Sequence, residues 1–361
     1  MELLTLDSSY QPSELVERYA SLVWTERYSS NGDFQLVTTD VERMLKILPL
    51  DKVVSLREST VPMIVEVHKI EKTLNGAPTL TVTGRSFETV LERRVAVKIT
   101  TPDGPRELWL QSQEEDYPSD AAYQAIRQIL GDVARPLVPL DAQDPMYNDD
   151  PLLMVDLITP ADYNVSPVTP TDYEIKPGNL YATVLELLNA NHHGIKAVRP
   201  IPGDSQIGVE IYNGADLTDL VVFNAKYDQF ENSTYLLSKA GSANTAYVFD
   251  PSSSEVVPKN TGVVPTGLDR RVLYLDASSD ASVDKWTRGL IELYKNNVTA
   301  LYDGKLAEQL KTGYNNDYFL GDIIRLDGEY GLSEYVRIAE FIRSEDSAGN
   351  KAYPTFQVIT D

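Results

Sequence analysis

The sequence predicts an α+β fold that is mainly β, and three observations lead to this fold class. Short runs of β-branched and aromatic residues alternate with turn signals towards both ends of the chain. Helical periodicity is confined to a few segments that interrupt or separate these β regions. A faint internal similarity relates the first β region to the last, which predicts two similar small β-barrels.

The first hundred residues are predicted to form a β meander. Five runs are predicted as strands: residues 22–25, 34–37, 53–56, 63–67 and 79–83. A turn that contains Asn31 and Gly32 joins the first two runs, so these are expected to form a hairpin. Two short helices are predicted within the meander, at residues 41–48, which stop before a proline, and at residues 86–94.

The composition changes near Asp103, where prolines and an acidic cluster at residues 114–116 mark a boundary. Two helices and two strands are predicted beyond it, the helices at residues 120–130 and 180–191 and the strands at residues 195–198 and 207–212. The Pro- and Asp-rich passage at residues 135–178 is predicted as extended chain and loop. Together these elements predict an α+β segment.

The remainder of the chain is predicted to return to β structure around a helical excursion. Four apolar runs are predicted as strands: residues 220–223, 233–237, 245–249 and 271–275. Residues 251–254 and 261–267 are predicted as loops. The helical excursion covers residues 282–312, with a break between two helices at residues 302–304.

Three segments of the first β region resemble three segments of the last, in the same order. The matched pairs are residues 53–56 with 323–326, 63–67 with 336–341, and 78–82 with 354–358. The third pair shares the pattern Pro-Thr-apolar-x-Val. The conserved order within the chain favours an internal duplication.

The composition excludes several classes of function. The chain has 361 residues with 54 Asp and Glu against 32 Lys and Arg, which gives a net charge of −22. Proteins that read nucleic acids need clustered Lys and Arg to neutralise phosphates, so sequence-specific DNA binding is not expected. No cysteine is present, which excludes disulfides, Cys-ligated zinc and thiol nucleophiles. The N-terminal residues lack the pattern of a signal peptide, and no apolar run is long enough for a membrane helix. The chain is therefore expected to be cytosolic when it is made.

No catalytic, cofactor-binding or metal-binding residue is predicted. The chain has three histidines, His68, His192 and His193, and none has a ligand partner at a useful spacing. Residues 144–150 are rich in oxygen ligands but lack the alternating positions and central Gly of a calcium loop, so a solvated acidic loop is expected. Carboxylates are too abundant for their spacing to identify a glycosidase pair. Tyr, with 21 copies against 8 of Phe, suits hydrated contact surfaces.

Several motifs together resemble the baseplate hub and tail-tip proteins of long-tailed phages. They are the N-terminal MELLTLD, LVWTERY at residues 22–28, GDF at 32–34, LRE at 56–58, VTGRSFExVLxRR at 82–94, YFLGDII at 318–324, YVRIAE at 335–340 and PTF at 354–356. More narrowly, the chain is similar to the shorter tail proteins of siphophages of actinobacteria and Gram-positive hosts. It also resembles the central hub and the N-terminal hub part of tail-associated lysins. The motifs run from one end of the chain to the other.

The resemblance implies a trimeric ring of four-part subunits around a channel at the distal end of the tail tube. Residues 1–101 would form the first hub β-barrel and residues 102–216 an α+β domain. Residues 217–259 and 315–361 would form the second barrel, and residues 260–314 a helical insertion. Longer relatives append a peptidoglycan-cleaving or receptor-binding module, and this chain stops at the barrel, so no lytic activity is expected of it.

The implied role is a structural virion protein without enzymatic activity or cofactors. Its implied partners are two further copies of itself, the distal tail protein ring, the tape measure protein and the tip or receptor-binding proteins. DNA would pass through the channel without specific binding, and we expect surplus Asp and Glu to face that channel because phosphate contacts would retard passage. The alternatives are a glycan-active enzyme or carbohydrate-binding module that uses paired carboxylates, and a hub of a contractile injection machine.

Overall fold

The computed structural model describes residues 1–74, 76–93, 95–96, 99–101, 104–106, 109–110, 155–158, 173–174, 178–179, 181–182, 184–185, 188, 193–202, 207–227, 230–260, 263–278, 285–306, 313–328 and 333–359. The chain divides into two compact units. The first unit comprises Met1–Val222, Leu306–Arg325 and Arg337–Thr355, and the second comprises Phe223–Lys305, Leu326–Val336 and Phe356–Asp361.

Strands dominate the described part of the chain. They are β1 (Leu3–Leu6), β2 (Pro12–Val16), β3 (Ser21–Arg27), β4 (Asp33–Thr38), β5 (Val53–Leu56), β6 (Pro62–Glu71), β7 (Thr79–Ser86), β8 (Val95–Ala96), β9 (Ile99–Thr101), β10 (Gly104–Arg106), β11 (Trp109–Leu110), β12 (Val155–Ile158), β13 (Tyr173–Glu174), β14 (Gly178–Asn179), β15 (Gly194–Val198), β16 (Ile207–Tyr212), β17 (Val222–Asn224), β18 (Phe230–Ser238), β19 (Thr245–Asp250), β20 (Ser253–Pro258), β21 (Val272–Asp276), β22 (Thr299–Leu306), β23 (Ile323–Asp327), β24 (Ser333–Asp346) and β25 (Gly349–Val358). Two α-helices have complete bounds in that part, α1 (Val41–Ile47) and α2 (Lys285–Lys295), and short 3-10 helices lie at Phe87–Arg93, Ala225–Tyr227 and Gly267–Asp269.

The first unit is organised by an antiparallel sheet whose strand order is β24-β3-β4-β7-β6-β5-β1-β2. The β3–β4 pair is the predicted hairpin, and its register places Trp24 opposite Phe34. These two rings stack with centroids 5.7 Å apart in a core that also contains Leu36, Met63 and Val82. The strands form because their apolar residues recur at every second position, so that one face of the sheet is buried. The alternation predicted in residues 79–83 is confirmed along the whole of β7.

Both predicted helices of the first region are present, with different geometry. Helix α1 buries Met44 completely and ends at Ile47, with Leu48 as its C-cap before Pro49. The second is a 3-10 helix at Phe87–Arg93, within the predicted range of 86–94. The predicted strands at 195–198 and 207–212 are confirmed as β15 and β16. In a small mixed sheet, β16 pairs with β15 in antiparallel and with β12 in parallel orientation.

The second unit contains a three-stranded sheet in the order β20-β19-β21, covered on one face by helix α2. The core between sheet and helix holds Ala246, Val248, Val257 and Leu293, all inaccessible to solvent. A separate pair of strands, β18 and β22, also belongs to this unit. The apolar stripe of α2 fits its position against the sheet, since one face carries Trp286, Leu290 and Leu293.

Two predictions in this part of the chain are wrong. Residues 251–254 were expected to be loop, but β20 begins at Ser253 and continues through Val256 and Val257, whose β-branched side chains favour a strand. Residues 299–306, expected within the helical excursion, form strand β22. Leucine spacing suggested helix there, whereas β-branched Thr299 and the ring of Tyr302 favour a strand once α2 has ended at Lys295.

The strand order agrees with the internal similarity. Strands β5, β6 and β7 are neighbours in that order, and β24 likewise pairs with both β23 and β25. These are the segments that the sequence comparison matched. The fold is therefore confirmed as mainly β with few helices, and similar triplets of strands occur near both ends. The described strands do not close into a barrel, so the two small β-barrels stay a prediction.

Several predictions fall outside the described residues. They concern the acidic cluster at 114–116, the helix at 120–130, the acidic loop at 144–150 and His192.

Candidate functional site

The outer face of the β20-β19-β21 sheet carries exposed aromatic and aliphatic side chains. We name it the aromatic face and define it by Tyr247, Phe249, Val256, Val272 and Tyr274. It arises directly from the two-residue repeat of a strand, because Ala246 and Val248 point towards helix α2 and Tyr247 and Phe249 point away from it. Tyr274 is 60% and Val272 52% exposed in this structure.

The register of the sheet places Val256, Tyr247 and Tyr274 in one row across the aromatic face. Tyr247 lies opposite Val256 in the antiparallel pair and opposite Tyr274 in the parallel pair. The two tyrosine rings are nearly parallel, with centroids 6.2 Å apart and an interplanar angle of 19°. Because directly paired cross-strand side chains support each other, the row is a preformed surface rather than a set of independent side chains.

Polar groups at the strand ends hold the sheet that carries this face. The Asp250 carboxylate accepts hydrogen bonds from the backbone N–H groups of Ser252 and Ser253, which fixes the β19–β20 turn. It also forms an ion pair with Lys285 at the start of helix α2. The hydrogen bonds from Lys285 and Ser252 hold the pKa of Asp250 well below its usual range. At the other end, the Asn244 side chain accepts from the N–H of Arg271 at 2.9 Å.

The arrangement of the aromatic face is suited to binding. The centre of the aromatic face has no charged side chain, and strands β20 and β21 form the two outer edges of the sheet as traced in the described residues. Exposed apolar patches of this kind, and open strand edges, are typical of protein interaction sites. Nowhere in the described ranges do three or more metal-binding side chains come together.

The two described histidines have structural positions. His68 is partly buried, and its Nε2 lies 2.6 Å from the carbonyl oxygen of Leu48, at the end of helix α1. His193 is almost fully buried, and its ring contacts the side-chain oxygen of Asn213.

A buried ion pair in the first unit has no signature in the sequence. Arg343 on β24 donates to Glu26 on β3 at 2.8 Å, and each side chain is only 8% exposed. The indole N–H of Trp24 donates to the same carboxylate oxygen at 3.2 Å. The two charged residues are 317 positions apart, so only the pairing of β24 with β3 brings them together.

Comparison with known families decides what kind of protein this is. The model of the siphovirus ReqiPepy6 Gp37-like protein family matches residues 2–356. The chain belongs to this family. A comparison with curated protein sequences finds no match.

Two solved structures share the fold over nearly their whole length. The 43 kDa tail protein of prophage MuSo2 from Shewanella oneidensis is 13% identical with a TM-score of 0.59, covering 99% of this chain and 97% of that one. The tail protein from Neisseria meningitidis MC58 is 10% identical with a TM-score of 0.54, covering 98% and 95%. At these identities the likeness concerns the fold. The family match confirms the resemblance to proteins of long-tailed phages, and the fold is one that these two phage tail proteins share.

Within the described residues, no helix has the length and apolar character needed to cross a membrane.

Proposed function

We propose that this protein is a structural hub of the phage tail tip, which forms a trimeric ring at the distal end of the tail tube. The observation that carries the proposal is the family match over residues 2–356, together with a fold that phage tail proteins share over 98–99% of the chain. A likeness of this extent favours a role for the whole chain as one structural part. The ring would serve as part of the DNA-ejection conduit and as a platform for neighbouring tail proteins.

The proposed subunit has four parts. Residues 1–101 and residues 217–259 with 315–361 would be two hub barrels, and residues 102–216 and 260–314 would be the α+β and inserted parts. The recurring strand triplets β5-β6-β7 and β23-β24-β25 support two related barrels, which would close when neighbouring copies supply the missing edges.

We assign the aromatic face to contacts between neighbouring copies of the chain within the ring. It is preformed, uncharged at its centre and backed by a packed helix, and burying such a face provides the apolar area that association needs. The distal tail protein, the tape measure protein and the tip proteins would bind elsewhere on the ring.

The net charge of −22 suits a conduit for DNA. Each Lys or Arg that contacts a phosphate gains affinity through release of counterions and would retard passage, whereas carboxylates repel the backbone. We propose that a disproportionate share of the Asp and Glu residues faces the channel. An electron cryomicroscopy map of the ring that shows a neutral or basic lumen would refute this part of the proposal.

The solution mass tests the ring. Light scattering on the purified chain at several concentrations is expected to give three times the chain mass of 40.3 kDa. The double variant Tyr247→Ser/Tyr274→Ser is expected to lower that mass towards one chain without changing the circular dichroism spectrum. The matched control is Tyr227→Ser, which removes a 75% exposed tyrosine outside the aromatic face and should leave the mass unchanged.

A peptidoglycan-release assay tests the absence of enzymatic activity. A structural hub is expected to release no fragments from cell wall, with or without assembly. If the chain stays monomeric at all concentrations and also releases fragments from the cell wall, the glycan-active alternative is favoured and the hub proposal is overturned.

A further inference from the structure

The first unit contains a cavity of about 640 Å³ that is separate from the aromatic face. Its rim includes exposed residues, among them Glu58, Asn213 and Phe319, and its depth includes buried ones, among them Glu88 and Asp322. Ligand pockets usually have volumes of about 300–1,000 Å³, so the size suits a small organic molecule or a long side chain.

Glu88 is the unusual group in this cavity. The side chain is 4% exposed, and its Oε1 accepts a hydrogen bond from the backbone N–H of Ala197. Its Oε2 is buried and has no hydrogen-bond partner among the described residues, and the same holds for the hydroxyl of Tyr212. Buried polar atoms without partners are rare in folded proteins, because each loses its hydration without compensation. Both of these residues line the cavity.

Asp322 adds a second buried carboxyl to the same cavity, with 5% exposure. Its two oxygens accept the backbone N–H groups of Ala215 and Phe319, each at 2.7 Å, which fixes the position of the carboxyl. Burial raises the pKa of both Glu88 and Asp322. The positive charge of Arg337, which donates to the carbonyl of Gly321, partly offsets this rise in pKa for Asp322. No cation acts in this way on Glu88 among the described residues, so Glu88 lacks a charge partner that would favour its ionised form.

The cations that line the cavity are already paired. Arg27 forms ion pairs with Asp33 and Glu340, and Lys196 forms one with Glu210 at 3.0 Å. The carboxylate of Glu26, also in the lining, is matched by Arg343. Among the described residues, Glu88 is therefore the buried carboxyl of the cavity that has no cation beside it.

We propose that this cavity binds an organic cation, a primary ammonium or guanidinium group on a short aliphatic chain, with Glu88 and Asp322 as its carboxyl partners and Tyr212 as a hydrogen-bond acceptor. The ammonium or guanidinium group of the ligand lies beside the two buried carboxyls. Its N–H groups donate the hydrogen bonds that Glu88 and Tyr212 lack. The aliphatic part lies against Tyr314, Phe319 and Leu320, which also line the cavity. This chemistry is common to free diamines and to Lys or Arg side chains of a neighbouring protein.

Calorimetric titration of the full chain tests the proposal with matched probes. Cadaverine and a capped tripeptide with a central Lys supply the ammonium in free and protein-borne form, and the five-carbon diol of the same length supplies none. We expect saturable binding of one molecule of an amine probe per chain and no binding of the diol. Tighter binding of cadaverine identifies a free amine as the ligand, and tighter binding of the tripeptide identifies a partner's side chain.

Glu88→Gln is the informative variant, because Gln keeps the acceptor for Ala197 and removes the charge. Amine binding is expected to weaken about tenfold or more, as for loss of a charged hydrogen bond. The control Glu71→Gln alters a 63% exposed carboxylate paired with Lys69 and should bind as the parent does. Unchanged circular dichroism and melting temperature show that the Gln variant is folded. Absence of amine binding by the parent, equal binding of the diol, or equal amine affinity of the Glu88→Gln variant and the parent would each overturn the proposal.

Discussion

Removal of Arg343 tests how the first and last parts of the chain are held together. In the Arg343→Met variant, the aliphatic part of the side chain is retained while the guanidinium is lost. Glu26 then stays 8% exposed with the Trp24 indole as a remaining donor and no cation. Breaking a buried ion pair from one side costs about 3–5 kcal/mol because an uncompensated charge is left in the interior. The guanidinium also lies over the rings of Phe341 and Tyr314, at 4.6 and 5.4 Å, so its loss removes these contacts as well.

Urea unfolding followed by fluorescence measures this cost. The whole stability of a domain is about 5–15 kcal/mol, so the midpoint should fall steeply. The double variant Glu26→Gln/Arg343→Met has no unpaired carboxylate at position 26, and the Gln side chain still accepts the hydrogen bond from the Trp24 indole. Its cost should therefore be smaller than that of the single variant, below about 2 kcal/mol.

A surface pair of the same type provides the control. Lys69 and Glu71 form an ion pair at 3.0 Å with both side chains more than 60% exposed. Lys69→Met should cost at most about 1 kcal/mol, because solvent screens the pair. If Arg343→Met costs no more than Lys69→Met, or if the double variant is as unstable as the single one, the reasoning from burial is refuted.

Three further outcomes are expected. Gly289→Ala gains about 1 kcal/mol of helix propensity, but its Cβ would lie 2.8 Å from Cγ2 of Val257, and overpacking of about 1–3 kcal/mol should give net destabilisation in thermal unfolding. Burial raises the pKa of Glu88 in the folded state, so the contribution of its protonated form to stability is present at low pH and is lost as pH rises. In urea titrations, the stability of Glu88→Gln relative to the parent should therefore increase as the pH rises above the ordinary pKa of a glutamate. A chain that ends at residue 336 leaves β3 without its β24 partner and should aggregate in size-exclusion chromatography, whereas a soluble, cooperatively folded product would contradict this.

Local patterns in the sequence predicted most strands because the physics that selects them is local. β7 alternates buried and partly buried residues at every position, and α1 ends before Pro49, as the chain pattern indicated. The errors at residues 251–254 and 299–306 occur where polar residues lie in strands. There the partner strand decides the conformation, since Ser253 and Ser254 are fixed by their register with Asp250 and Phe249.

The candidate sites were less accessible to sequence reasoning. The excess of Tyr indicated contact surfaces, but the row of Tyr247 and Tyr274 depends on a parallel pairing between strands that a hairpin and a loop separate. Glu88 and Asp322 are 234 positions apart, and no spacing rule connects them. Such groups become neighbours only through the fold, and burial rather than residue type raises the pKa of each.

The same long-range pairing explains why the sheet of the first unit needs the end of the chain. Strand β24 pairs with β3 from Glu340, opposite Arg27, to Glu345, opposite Leu22. The same strand carries Arg343, the only cation in the described residues that forms an ion pair with Glu26. Until the residues of β24 are synthesised, β3 is an open strand edge, and it carries the Glu26 carboxylate that is buried in the folded protein. The Glu26 carboxylate at this edge disfavours incorrect strand pairing as long as β24 is absent. It gains its ion pair with Arg343 only when β24 pairs in the correct register. The pair therefore contributes to the specificity of sheet closure, even though a buried ion pair adds little net stability over an apolar one.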